Sequence, residues 1–264
     1  MTIHIAAPAK LTWSLEVLDT RPDGFHDLRS EMVSLDLADE LVIDPAGDGL
    51  VVIAGRGARA ESLSAGDDNL VRRALAVVGR HAHVTITKQI PLQGGLGGGS
   101  SDAGAILRWA GGVSPIDAGR LGGDVPFCVR GGRAMVEGIG ERVSPLPFVE
   151  RTVTLLIPPF GVETAAAFAA LDELRRKGRG RHDRNDLTEA AFRVEPQLRS
   201  WWDAFAQASG REPVLAGSGS TMFVEGDHDD GGLTGKTALS VDGREGILIA
   251  ARTVPEDFGE PRDG

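Results

Sequence analysis

The chain has 264 residues, 41% of them apolar and 25% charged, which fits one large domain or two packed ones and excludes a disordered chain. A net charge of −10 argues against wrapping nucleic acid and against adsorption to an anionic membrane surface. One cysteine, Cys128, allows neither an internal disulfide nor a cysteine-rich zinc site. With no apolar run of about 18 residues and no basic–apolar leader after Met1, the expected setting is cytoplasmic and the expected start of the mature chain is near Met1.

In chain order, Ile3–Ile5 and Leu11–Leu18 read as strands, followed by the turn signal Arg21-Pro22-Asp23-Gly24. Met32–Leu37, Asp39–Ile43 and Leu50–Ile53 continue as strands. Asp67–Val78 has helical spacing, with the Asp67-Asp68 pair expected in its first turn. Val84–Thr87 is a strand. The glycine run Gly94–Gly99 and Ser100-Ser101-Asp102 lead into an apolar stretch, Ala103–Ala110, that Gly111-Gly112 stops. A short helix-and-turn region ends at Leu121–Phe127, and Ala134–Gly138 and Thr152–Ile157 read as strands. Helices are expected at Glu163–Arg176 and Leu187–Ser209, the second interrupted at Pro196. A basic loop spans 177–184, an acidic turn 227–232 and a last strand Ile247–Thr253, and the tail 256–264 is expected to fray. Strands and helices without strict βαβ alternation predict an α+β fold. A division near Phe148 gives two domains, 1–148 and 149–264.

The glycine run carries the most information. Glycines reach positive φ and let backbone N–H groups approach a ligand, and the helix start behind them favours an anion. Together they predict a phosphate cradle. It is not the G-x-x-x-x-G-K-[ST] loop: the only Gly-Lys-Thr, Gly235-Lys236-Thr237, has Asp230 where the first glycine belongs and no helical pattern after it. The dinucleotide pattern fails at Ser100, and the H-R-D and D-F-G triplets of protein kinases are absent. His81 and His83 lack metal-ligand spacing backed by Cys or Glu, Cys128 reads as core, and Trp201-Trp202 as packing.

The run Pro91-Leu92-Gln93-Gly94-Gly95-Leu96-Gly97-Gly98-Gly99-Ser100-Ser101 resembles the ATP loop of the GHMP kinases. Further segments agree in order: Pro8-Ala9-Lys10-Leu11, Arg21-Pro22-Asp23-Gly24-Phe25-His26, Asp68-Asn69-Leu70, Leu121-Gly122-Gly123-Asp124-Val125-Pro126-Phe127, Asn185-Asp186-Leu187 and Ala216-Gly217-Ser218-Gly219. Thr12 stands where the family usually has Asn, Phe25 where it has Tyr, and Gly123 where Ala is common.

The resemblance implies a two-domain α+β fold with the site in the cleft between the domains. It also implies ATP with Mg²⁺, and phosphoryl transfer to a small-molecule hydroxyl without nucleic acid or membrane. Within the superfamily, the triple glycine and the R-P-D-G-F-H turn resemble the branch whose acceptor is a cytidine diphosphate-linked methylerythritol of isoprenoid synthesis. The alternatives are another family specificity, such as that for homoserine, or a non-catalytic ligand sensor of the same fold. By resemblance, Lys10 and Asp124 form the catalytic pair. Pro91, Gly94, Gly95, Leu96, Gly97, Gly98, Gly99, Ser100, Ser101 and Asn69 hold the nucleotide, with Ser100 or Ser101 near Mg²⁺. Thr12, Phe25, His26, Thr164 and Phe168 contact the acceptor, Phe25 and Phe168 sandwiching the base. A carboxylate beside Val125-Pro126-Phe127 needs a cationic partner, which Lys10 would supply.

Overall fold

A computed structural model describes residues 1–54, 64–92, 94–178, 184–226 and 233–263. Gln93, most of the expected basic loop and the expected acidic turn lie outside the described residues.

The sheet is built on two long antiparallel strands, β1 (Ile3–Thr20) and β2 (His26–Asp44), where the sequence pattern predicts shorter pieces. Along β1 the odd positions Ile5, Ala7, Ala9, Leu11, Trp13, Leu15 and Val17 are all buried apolar residues, and the register shift between Thr12 and Ser14 turns Leu15 to the side that Lys10 and Thr12 face. Lys10 and Thr12, between the two shifts, face the cleft described below. The ladder breaks between Pro8 and Lys10. Pro8 has no N–H to give, and the Lys10 N–H, released from the ladder, donates to the Leu96 carbonyl at 3.0 Å.

The first half adds β3 (Gly49–Ala54), parallel to β4 (His83–Lys88), and β5 (Arg133–Gly138), which pairs with β2 and β6 (Arg142–Pro145). The second half supplies β7 (Thr152–Ile157), β8 (Val214–Leu215), β9 (Met222–Glu225), β10 (Ala238–Val241) and β11 (Arg244–Val254). β11 joins the halves: residues 247–252 pair with β7, and Thr253 and Val254 pair with Leu35 and Ser34 of β2. The tail is not frayed. Residues 256–259 form a 3₁₀ turn, and β12 (Arg262–Asp263) pairs with Ile3 and His4. Arg108 holds it there, its Nε donating to the Gly259 carbonyl at 3.0 Å.

Helices α1 (Leu70–Val77), α2 (Gly98–Trp109), α3 (Pro115–Leu121) and α4 (Val125–Arg130) lie in the first half, with α5 (Thr164–Arg176), α6 (Thr188–Val194) and α7 (Leu198–Ser209) in the second. α1 begins after the expected Asp67-Asp68 because Asn69 caps it, Oδ1 accepting from the Val71 N–H at 2.8 Å. α2 begins at Gly98, five residues before the apolar stretch that signals it. Gly97, in the left-handed region at φ 69°, is its N-cap. The architecture is α+β, as expected. Val71, Ala74 and Ile106 pack with Ile5 and Ile43 in one core, and Leu171, Trp201 and Phe205 with Leu15 and Val17 in another. Between them lies a third core around Leu11, Trp13, Leu96 and Phe223. β1 crosses all three.

α2 and α4 touch backbone to side-chain position at Gly104, where a Cβ would sit 2.7 Å from the Cys128 carbonyl carbon. Because backbone is in the way, Gly104→Ala is expected to destabilise by about 1–3 kcal/mol, the usual range for overpacking. Urea unfolding checks this, and an unchanged midpoint would contradict the packing.

Candidate active site

A cleft of about 550 Å³ brings β1, the glycine loop, the start of α4, the start of α5 and the 216–221 loop to one space. Lys10 is its centre. The Lys10 ammonium is 3.1 Å from Asp124 Oδ2 and donates to Thr12 Oγ1 at 3.3 Å. Lys10 is 6% exposed and the Asp124 side chain 34%, so the pair is open to the cleft on the carboxylate side. Two glycines make room for the lysine. A Cβ on Gly97 would lie 2.7 Å from Lys10 Cγ, and one on Gly217 3.5 Å from Thr12 Oγ1. Asp124 is set by the turn into α4, whose backbone meets the β5–β6 turn so closely that a Cβ on Gly140 would overlap the Gly123 carbonyl.

The glycine loop is held by its surroundings more than by its own bonds. Leu96 is buried, and its carbonyl takes the Lys10 N–H. Gly95, at φ 71°, passes the Ala216 and Gly219 carbonyls, each 3.2 Å from where a Cβ would be. Gly94 is packed against Thr221, and Pro91 is buried behind it. Gly98, Gly99 and Ser100 form the first turn of α2, and all three line the cleft. Their N–H groups have no intrahelical acceptor and, with the helix dipole, suit an anion. Ser101 faces inward instead: its Oγ donates to the Pro8 carbonyl at 2.8 Å. Asn69 is occupied as a cap and a donor to the Ser64 carbonyl, and its neighbour Leu70 is the residue that lines the cleft. Gly235-Lys236-Thr237 leads into β10 rather than a helix.

At the far end, Thr164 and Phe168 of α5 line the cleft, with the Thr164 and Ser218 hydroxyls 2.9 Å apart. The ring lying against Phe168 is that of His26, with centroids 4.8 Å apart and planes at 24°. His26 Nε2 is 2.9 Å from Asp172 Oδ1. Phe25 is 59% exposed, at the end of a turn in which the Arg21 and Asp23 side chains pair. The structure therefore brings His26 to Phe168 and leaves the Phe25 ring outside the lining of the cleft.

Sequence reading missed several residues. Leu15, Leu28 and Ile139 give the cleft apolar walls, and on their own they read as ordinary strand and turn residues. It also missed a buried group below the loop. Lys88, at the end of β4, pairs with Asp39 and, at 2.6 Å, with Asp102. Burial alone would lower the Lys88 pKa, but Asp102 and Asp39 outweigh it and hold the ammonium above its ordinary value. Burial pushes the Asp102 carboxyl up, against the pull of Lys88. Cys128 is core, and burial raises its thiol to about 12.

The fold and this site together define a GHMP kinase. Residues 69–132 match the GHMP kinases N terminal domain. The 4-diphosphocytidyl-2-C-methyl-D-erythritol kinase of Paracoccus denitrificans is 37% identical over 83% of this chain and 85% of its own length. The enzyme of the same name from Pelotomaculum thermopropionicum is 34% identical over 84% and 88%. A crystal structure of 4-(cytidine 5'-diphospho)-2C-methyl-D-erythritol kinase superposes with a TM-score of 0.69 at 28% identity, covering 95% of this chain and 98% of that one. The homoserine kinase of Cytophaga hutchinsonii, at 16% identity and TM-score 0.60, shares the fold. The chain belongs to the 4-diphosphocytidyl-2-C-methyl-D-erythritol kinase family, and with it to the ATP-using GHMP kinases.

Gly97→Ala would force an L side chain into a left-handed conformation and into the Lys10 stem. Displacing the ammonium by about 1 Å is expected to lower kcat on the order of 100-fold. Gly119→Ala, whose Cβ would meet nothing nearer than 3.8 Å, serves as the control with unchanged kcat. Steady-state kinetics on both variants checks the close approach.

Proposed function

We propose that this chain transfers the γ-phosphoryl group of ATP to the 2-hydroxyl of 4-diphosphocytidyl-2-C-methyl-D-erythritol, the substrate named by its relatives. The observation that carries the reading is the Lys10–Asp124 contact of 3.1 Å, in the same cleft as an anion-suited helix start and an aromatic ring. The helix start at Gly98–Ser100 takes the nucleotide phosphates. Asp124 accepts the hydroxyl proton as the substrate oxygen forms its bond to the γ-phosphorus. The bond from that phosphorus to the β,γ-bridging oxygen breaks, ADP leaves, and the product is the 2-phosphate. Lys10 stabilises the oxygen as it becomes nucleophilic.

Mg²⁺ neutralises phosphate charge in this class of reaction. Among the described residues, no group of three or more His, Cys, Asp or Glu side chains converges on a metal position. Hard oxygen donors are nevertheless present in the cleft in Ser100 and Asp124, so these residues fit an ion carried in on the nucleotide phosphates. Ser100 is the serine assigned here, since the Ser101 hydroxyl is committed to Pro8.

Phe168 gives the cytosine a flat face and His26 an edge contact, and the Phe25 ring is free to close over the base. The division near Phe148 then has a functional sense: residues 1–148 bring Lys10, Asp124 and the loop, and residues 149–264 bring Thr164 and Phe168. The cytoplasm, where ATP is abundant, is the setting that suits the reaction.

ADP release measured with the cytidylyl acceptor, with homoserine and with neither tests this. Release only with the cytidylyl acceptor is expected. Release with homoserine would move the chain to that specificity, and none with any acceptor would make it a sensor. Phe168→Ala should raise KM for the acceptor by the equivalent of about 1–3 kcal/mol of stacking and leave KM for ATP unchanged. Equal effects on both would make Phe168 a core residue only.

A further inference from the structure

We propose that Lys88 is a positioning residue for the nucleotide: its ammonium ties both ends of the glycine loop to one buried point and so holds the start of α2 in its phosphate-binding form. The loop is entered through Gln89 and Ile90. Asp39 Oδ1 accepts from both of their N–H groups, at 2.5 and 2.8 Å, and its Oδ2 accepts from Lys88. The loop is left through α2, where Asp102 Oδ2 accepts from the same ammonium at 2.6 Å. A Cβ on Gly98 would lie 3.2 Å from Lys88 Nζ, so the ammonium sits directly beneath the first turn. Lys88, Asp39 and Asp102 are 4%, 0% and 4% exposed.

The group does not act by attracting phosphate. Two carboxylates surround one ammonium, and Asp102 Oδ1 is buried with no hydrogen-bond partner, so the local charge is not in surplus on the positive side. Its effect is mechanical. A run rich in glycine has the greatest backbone freedom to lose, and pinning both its ends removes that freedom before the nucleotide arrives. Without the pin, the competent form of the loop becomes a fraction of the population, and apparent affinity falls by that fraction.

The inference rests on reading the loop as the nucleotide site, and the experiment separates the two. Two amides report the loop without nucleotide: Ser101 N–H donates to the Gly97 carbonyl at 2.8 Å, and Lys10 N–H to the Leu96 carbonyl. In Lys88→Met both should exchange faster, while amides of the β7–β11 ladder keep their wild-type rates. The dissociation constant for a non-hydrolysable ATP analogue should rise at least ~10-fold, with KM for the acceptor unchanged. Asp102→Asn, which keeps an oxygen for the ammonium, should change the analogue's affinity less than ~3-fold. Folded Lys88→Met with wild-type analogue affinity or wild-type exchange at Ser101 would overturn the proposal. If Lys88→Met does not fold, Lys88→Gln takes its place under the same criteria. A wild-type chain that binds no ATP analogue would overturn the nucleotide reading itself, and the positioning role with it.

Discussion

The contact between the Lys10 ammonium and Asp124 is the constraint around which the rest of the molecule is arranged. Burying a lysine amine costs free energy unless it is paired and hydrogen-bonded, and Asp124 and Thr12 supply a carboxylate and a hydroxyl at 3.1 and 3.3 Å. The two ends of the pair come from distant parts of the chain. Lys10 stands on β1, which seven buried apolar residues from Ile5 to Val17 fix in the core. Asp124 stands at the turn into α4, which reaches its place by pressing Cys128 against Gly104 of α2. Moving either helix or strand by a methyl group's width would open the contact.

The glycines serve that same contact in different ways. At Gly97 the backbone must be left-handed, and the Lys10 stem fills the space a side chain would take. At Gly95 and Gly217 the close neighbours are backbone carbonyls and the Thr12 hydroxyl, so two loops from opposite halves of the chain can meet over one amine. The start of α2, the lysine and the carboxylate form one assembly. Their geometry is set by close backbone approaches rather than by long side chains, which favours the precise alignment that phosphoryl transfer requires.

Much of this was legible in the residues. The glycine run stands out by composition and parts of β1 by period, Lys10 and Asp124 are legible through the resemblance to the GHMP kinases, and the split of the long helix at Pro196 follows from its missing N–H. Element lengths were less legible. β1 and β2 run on through Pro8 and other irregular positions, and the shift between Thr12 and Ser14 moves the later side chains to the other face, which a two-residue period does not reveal. The start of α2 at Gly98 is set by packing against Lys10 and Lys88, against the poor helix propensity of glycine. Ser101 was indistinguishable from Ser100 in sequence, and only the helix phase shows one in the cleft and the other on Pro8. Lys88, Asp39 and Asp102 are separated by up to 63 positions, and nothing local marks them as partners. The tail looked frayed by composition, yet Arg108 and β1 hold it by its backbone.

The central claim is that Lys10 and Asp124 act as one unit on the transferring group, and a double-mutant cycle in kcat tests it most directly. Lys10→Met removes the charge and keeps the stem, and Asp124→Asn keeps the shape and cannot take the proton at neutral pH. Each single change, in enzyme confirmed to be folded, should lower kcat by ~10²–10⁴ with a much smaller effect on ATP binding. The double variant should lose little more than the worse single one, as members of a functional unit do. Losses that multiply in the double variant, or near-normal turnover in Asp124→Asn, would contradict the account.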